Sequence, residues 1–338
     1  MNKTIITAAL TGAVTPAGYE IPETPEAIAA QAYECWKLGA SVAHLHMRDD
    51  NGAGVMDPVK FYQTIKAIRA YKDCDIIINC TSSGDSRVAH DSPYGNAIRV
   101  LHHEIVPGIE MGTFDAGTFN WGVPGGMFCN SQGFLMNSGK LFQEKGIKPE
   151  IEIFDMGMLR AVGAYWKKGV LQAPLHFQFC LGVMGGMDAT PEALLALVSE
   201  MEHMQLTGKL PAECTWSAFG IGKGHLPVMF AALSKGGHVR VGMEDNVVYG
   251  YTEDGQKIMA TNMMLVERAA RAVRAIGNEP ATPAEARQML HLAPLDHEAV
   301  CAALDSVTVD ALEAKKAALS ELTNANWGQS RDKGVGAR

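Results

Sequence analysis

Short apolar runs rich in β-branched residues alternate with longer stretches of helical periodicity eight times between residues 4 and 276, and this alternation restricts the fold more than any other feature. Strands are expected over 4–10, 41–47, 75–80, 108–113, 150–155, 174–180, 214–219 and 238–244. Helices are expected over 25–38, 58–71, 92–103, 131–145, 156–168 and 191–205, from Gly224 to about Ser234, and over 260–276. Thr24-Pro25-Glu26 and Thr190-Pro191 are helix starts, with a capping hydroxyl ahead of a proline. Eight strands and eight helices in roughly 275 residues match the count and size of a (β/α)8 TIM barrel. A doubly wound open sheet is the alternative that alternation alone leaves open. No change of composition marks a boundary before about 278. Residues 1–278 are therefore read as the catalytic barrel, and 279–338 as a C-terminal helical extension with a polar end from Ser330, part of the same domain.

Strand two ends in Ala43-His44-Leu45-His46-Met47-Arg48. Side chains alternate across a strand, so His44 and His46 share a face. Two imidazoles on one side are half of a metal site, and the pair alone is also compatible with two hydrogen-bonded structural histidines. The best third ligand is Glu244, at the end of strand eight in Arg240-Val-Gly-Met-Glu244-Asp245. In a barrel both segments lie at the C-terminal ends of their strands, where such folds place their chemistry. Two neutral histidines and a carboxylate leave a position open on a divalent ion, as a Lewis acid polarising a carbonyl requires. Zinc is the first candidate; manganese, iron and cobalt suit the same ligands.

Asp245 adjoins that set, and Arg240 lies four residues before Glu244 on what reads as the same strand. An arginine holding Asp245 ionised and aimed would make it a base, and a structural salt bridge is the plainer reading. Ser82, Ser83 and Gly84, after strand three, form a turn of hydroxyls and backbone donors suited to a carboxylate or phosphate, as plain loops also do. Thr113 ends strand four. Gly222-Lys223-Gly224 stands before helix seven, where barrels bind phosphate, and is a candidate for a nucleotide-like cofactor. His102 and His103 are expected to be solvated at a helix end, and His176 and His238 to be satisfied within the barrel.

With 29 Lys and Arg against 37 Asp and Glu, a net charge of −8 and no basic cluster, the chain is not expected to bind nucleic acid or an anionic membrane. A small-molecule partner is expected. Seven scattered cysteines, none in C-x-x-C spacing, suggest neither a disulfide framework nor a zinc ribbon. The N-terminus enters a strand directly and no run of about 18 apolar residues occurs, so a cytoplasmic location is expected.

Taken together and in order, Thr11-Gly12-Ala13, the Thr24-Pro25-Glu26 helix start, Ala43 to Arg48, Asn79 to Gly84, Glu110-Met111, Gly182-Val-Met-Gly185-Gly186 and Arg240 to Asn246 resemble the β-keto acid cleavage enzymes. The resemblance spans residues 11 to about 275. It implies a zinc-bearing barrel, usually a homo-oligomer such as a dimer or tetramer. It also implies a transferase that condenses a β-keto acid with acetyl-CoA, giving acetoacetate and a new acyl-CoA by a Claisen/retro-Claisen route. Carried over by position, it makes His44, His46 and Glu244 the metal ligands and Asp245 with Arg240 the base pair. By the same resemblance, the turn Ser82-Ser83-Gly84 and Thr113 match the segments expected to hold the substrate carboxylate. The 3-keto-5-aminohexanoate enzymes of this family carry a glutamate directly after the Thr-Gly-Ala segment; here Val14 stands there. A valine cannot pair with an ammonium, so a neutral or apolar side group is expected, unless Asp155 or Glu152 substitutes. A metal-dependent lyase without CoA and a metal-dependent hydrolase barrel are the competing readings.

Overall fold

The computed structural model describes residues 2–14, 18–83, 85, 87–121 and 126–321; Gly84 and the polar end from Ser330 lie outside the described residues. Eight parallel strands close into a barrel: β1 (Ile6–Ala9), β2 (Val42–Leu45), β3 (Ile77–Cys80), β4 (Met111–Asp115), β5 (Lys148–Ile153), β6 (Leu175–Leu181), β7 (Cys214–Gly220) and β8 (His238–Val241). Each pairs with the next, and β8 closes on β1 with Val239 opposite Ile6 and Arg240 opposite Thr7. Such strands are covered on both faces, so they read as nearly unbroken apolar runs, as in β6, whose seven residues are all buried. The open-sheet alternative is thereby excluded.

The outer helices are α1 (Pro25–Lys37), α2 (Pro58–Arg69), α3 (Pro93–Ile105), α4 (Gln132–Lys145), α5 (Met156–Lys167), α6 (Pro191–Leu206), α7 (His225–Ser234) and α8 (Asn262–Ala275). Side chains of Thr24, Asp57, Ser92, Ser131, Asp155, Thr190 and Thr261 cap seven of them. Among the described residues no helix is long and apolar enough to cross a membrane.

Beyond the barrel come α9 (Pro283–Leu290), α10 (His297–Ser306) and α11 (Val309–Ser320). Glu279–Pro280 pairs in parallel with Lys3–Thr4. From α9 and the residue preceding its cap, Ala281, Ala286 and Leu290 join Ile5, Val42, Ile77 and Met111 in an apolar cluster that closes the N-terminal end of the barrel. Arg287, buried on the same helix, bonds Glu110 at 2.6 and 3.0 Å, and Arg69 bonds Glu110 at 2.9 Å.

Some local expectations are corrected. β4 continues to Asp115, so Thr113 sits within the strand. β8 stops at Val241, because the chain turns at Gly242, where φ is +155° and a Cβ would lie 1.9 Å from the Ala9 carbonyl oxygen. His102 and His103 are buried, not solvated: His102 stacks on Phe61 at 3.8 Å and bonds the Thr81 carbonyl, and His103 bonds that of Cys80. The helix face that carries them packs on the barrel.

Candidate active site

The turn after β8 builds the site. Glu244 is not on the strand with Arg240, as its spacing suggested, but folds back over the barrel mouth, its amide donating to the Ala9 carbonyl. Gly12 lets it do so, since a Cβ there would stand 2.7 Å from Glu244 Cγ. The carboxylate then faces both histidines: Glu244 Oε1 lies 3.4 Å from His46 Nε2 and 3.6 Å from His44 Nε2. One ligand atom from each residue falls within 4.8 Å of the others. Tetrahedral coordination with bonds of about 2.0–2.1 Å places ligand atoms about 3.3 Å apart, so the three residues fit a divalent ion with little movement. Glu244 Oε2 is buried and has no hydrogen-bond partner, an acceptor that a cation would satisfy. Burial, with Arg240 adding to it, holds His44 well below the usual imidazole range, hence neutral as a ligand must be. Burial works to raise Glu244, but Arg240, His46 and His44 together keep it well below the usual carboxylate range. Behind His44, Glu150 Oε2 stands 3.7 Å from Nδ1 and is itself bonded by Asn79 at 2.7 Å.

Arg240 is the hub. Its Nε donates to Asp245 Oδ2 at 3.0 Å, Nη2 to Asp245 Oδ1 at 2.9 Å and to Glu244 Oε1 at 2.5 Å, and Nη1 to Glu152 Oε1 at 3.2 Å. The guanidinium also lies over the Phe219 ring at 4.4 Å. Burial pushes Asp245 up to about 6, with Glu244 adding to the rise and Arg240 opposing it. A carboxylate in that range is ionised at neutral pH yet basic enough to take a proton.

These groups open into a cavity of about 510 Å³ at the C-terminal end of the barrel. Val14, Ser83, His44, His46, Arg240, Glu244 and Asp245 all line it. Ser82 and Thr113 lie just beneath: the Ser82 amide donates to Thr113 Oγ1 at 2.7 Å, and the two hydroxyls are 3.0 Å apart. The remaining candidates are not brought in. Gly222–Gly224 forms a 3₁₀ turn on the rim with Lys223 exposed, and Ile221 rather than the turn itself reaches the cavity wall. Asp155 is spent on capping α5.

A family model described as beta-keto acid cleavage enzyme matches residues 3–292. The chain belongs to this family. A 3-keto-5-aminohexanoate cleavage enzyme of Fusobacterium nucleatum subsp. nucleatum is 39% identical over 295 residues, 86% of this chain and 99% of that protein. A 3-dehydrocarnitine:acetyl-CoA trimethylamine transferase of Rhizobium meliloti is 32% identical over 309 residues, 86% of this chain and 98% of that protein. Among solved structures, the ternary complex of ObcA with C4-CoA adduct and oxalate superposes with a TM-score of 0.67, covering 80% of this chain and 67% of that one. At 18% identity that likeness is one of fold.

For this β-keto acid cleavage family member, the sequence reading named Glu152 only as a possible partner for a substrate ammonium and did not name Glu150 of β5 or Asp115 of β4. Glu150-Ile-Glu152-Ile alternates, which places both carboxylates on one face of a strand whose last four residues are buried, and that face is the barrel interior. Asp115 follows Thr113 by two residues and shares its face. Burial, then the adjoining Asp115 carboxylate, raise Glu152 well above the usual range. The apolar wall of Phe119, Trp121, Phe128 and Phe154 was not foreseen either, since most of it rides on a two-residue hairpin too short to leave a periodic signal.

Proposed function

We propose that the protein converts a β-keto acid and acetyl-CoA into acetoacetate and the acyl-CoA of the keto acid's remaining portion. The observation that carries this reading is Asp245, clamped by Arg240 beside His44, His46 and Glu244 in a cavity large enough for a small acid and a thioester. A divalent ion held by those three residues, with zinc favoured by the donor set, would act as a Lewis acid toward a carbonyl oxygen.

The chain's own groups do the rest. Asp245 takes a proton from the carbon between the keto acid's carboxylate and keto groups, and Arg240 keeps the Asp245 carboxylate aimed and ionised. The Ser82-Ser83-Gly84 turn and Thr113 hold the keto acid's carboxylate. That carbon adds to the thioester carbonyl, CoA passes to the neighbouring keto carbonyl, and breaking the bond between the attacking carbon and that former keto carbon releases acetoacetate and the new acyl-CoA with every atom conserved. Val14, Phe119, Trp121, Phe128 and Phe154 face the space left for the side group, which favours a neutral or apolar one. The Gly222-Lys223-Gly224 turn, on the rim, is the candidate contact for the nucleotide end of CoA. The working form is a homo-oligomer in the cytoplasm.

The test is mass spectrometry of products from a panel of β-keto acids, with and without acetyl-CoA, beside an Asp245→Asn control. Acetoacetate together with a new acyl-CoA, formed only with acetyl-CoA and lost in the control, is the expected result. Cleavage indifferent to acetyl-CoA would instead indicate a simple metal lyase.

A further inference from the structure

Arg99, on the barrel-facing side of α3, is 1% exposed and lies outside the groups considered so far. Its Nε donates to the Ser82 carbonyl at 2.7 Å, Nη1 to the Cys129 carbonyl at 2.9 Å and Nη2 to Asn130 Oδ1 at 2.5 Å. Its guanidinium lies 4.0 Å from the Phe134 ring centroid and 5.0 Å from that of Phe128. All of these hydrogen-bond partners are neutral. Asp115, the acid whose charge acts on it most, accepts instead from Ser82 Oγ at 3.4 Å. A cation withdrawn from water is ordinarily paired with an anion in contact, and among the described residues Arg99 has none. One of the groups it grips, through Nε, is the backbone of the turn proposed to receive a carboxylate.

We infer that Arg99 is a positioning residue for substrate binding: it fixes the Ser82 carbonyl and supplies the buried positive charge that a keto acid's carboxylate, seated on the Ser82–Ser83 turn, answers. The inference rests on the reading of that turn given above. It reaches the ligand through the turn and through the field of the guanidinium, which low-dielectric surroundings screen weakly. A mere cross-link between the β3 and β4 loops would need the hydrogen bonds but not the charge.

Three variants separate the two roles: Arg99→Lys keeps the charge and loses the fork, Arg99→Gln loses the charge, and Asn130→Asp keeps the fork while setting an anion against it. Each is loaded with metal, titrated calorimetrically with acetoacetate, and assayed for KM and kcat. Arg99→Gln is expected to weaken acetoacetate binding and to raise the keto-acid KM by about tenfold or more, with the acetyl-CoA KM and kcat within about threefold. Arg99→Lys should recover most of that loss, and Asn130→Asp should reproduce it in a folded protein even if Arg99→Gln does not fold. Losses that follow thermal stability alike in the Lys and Gln variants, or an Asn130→Asp protein that binds as the wild type does, would overturn the inference while leaving the proposed reaction standing. A wild type that neither binds acetoacetate nor turns over any keto acid would overturn both.

Discussion

Arg240 and Asp245 meet through two hydrogen bonds, of 2.9 and 3.0 Å, across a turn in which the strand carrying Arg240 has already ended. The fork leaves the carboxylate one geometry, and burial sets its affinity for a proton at about 6. Asp245→Asn keeps the shape and removes the base, so kcat should fall by about 10³-fold with metal content unchanged. Arg240→Lys forfeits the two-pronged grip and should lose both rate and metal affinity, because Glu244 shares the same guanidinium. Steady-state kinetics paired with metal analysis checks both.

Metal content is the direct readout of His44, His46 and Glu244. Wild-type protein is expected to carry about one divalent ion per chain, and His46→Ala to lose most of it, by plasma mass spectrometry of dialysed samples. Glu150→Gln, one layer behind His44, should leave the ion bound but about 10–100-fold more weakly. Metal content in His46→Ala equal to that of the wild type would remove His46 from the ligand set.

Val14 lines the cavity and is 62% exposed, so a longer side chain there meets little steric opposition. Val14→Glu should raise kcat/KM for amino-substituted keto acids by about tenfold and lower it for apolar ones. The ratio of the two, measured in competition, gives the answer; an unchanged ratio would mean that position 14 does not read the side group.

His238 couples stability to pH. Its Nδ1 accepts from the Ile5 amide at 3.2 Å, and burial pushes its pKa from 6.5 down to about 4. The unfolded chain takes up this proton first as pH falls. The stabilisation is therefore complete above about pH 6.5 and lost progressively toward pH 4, by about 3 kcal/mol at most. Denaturation of His238→Asn, which keeps an acceptor but no titration, should show a shallower acid limb.

The extension that closes the barrel floor is proposed to unfold with it as one unit. Arg287→Ala leaves the half-buried Glu110 carboxylate with Arg69 as its remaining arginine and should cost about 1.5–3 kcal/mol in urea denaturation, still in a single transition. Two separated transitions would instead mark 279–321 as an independent element.

The repeated alternation of strand and helix determined eight βα units, because the period of apolar residues is local and each unit announces itself through its capping residues and turns; closure into a barrel rather than an open sheet was decided by the pairing of β8 with β1. Local chemistry likewise marked His44 and His46, whose two-residue spacing puts them on one face of any strand, and it drew attention to Glu244 and Asp245. What the chain's pattern could not decide was where those last residues stand. Gly242 breaks β8 only because the Ala9 backbone passes within reach of any Cβ there, and that neighbour is more than 230 residues away in sequence. The same holds for His102, His103 and Arg99, polar residues on a helix whose burial follows from the carbonyls at the ends of β3 that they satisfy. Lys223 is a further case, since a glycine-flanked lysine before a helix has a local signature of phosphate binding, but only the folded barrel sets it exposed on the rim, outside the cavity wall. Periodicity and turn chemistry are properties of neighbours along the chain, whereas burial, ion pairing and proton affinity depend on which distant segments the closed barrel presses together.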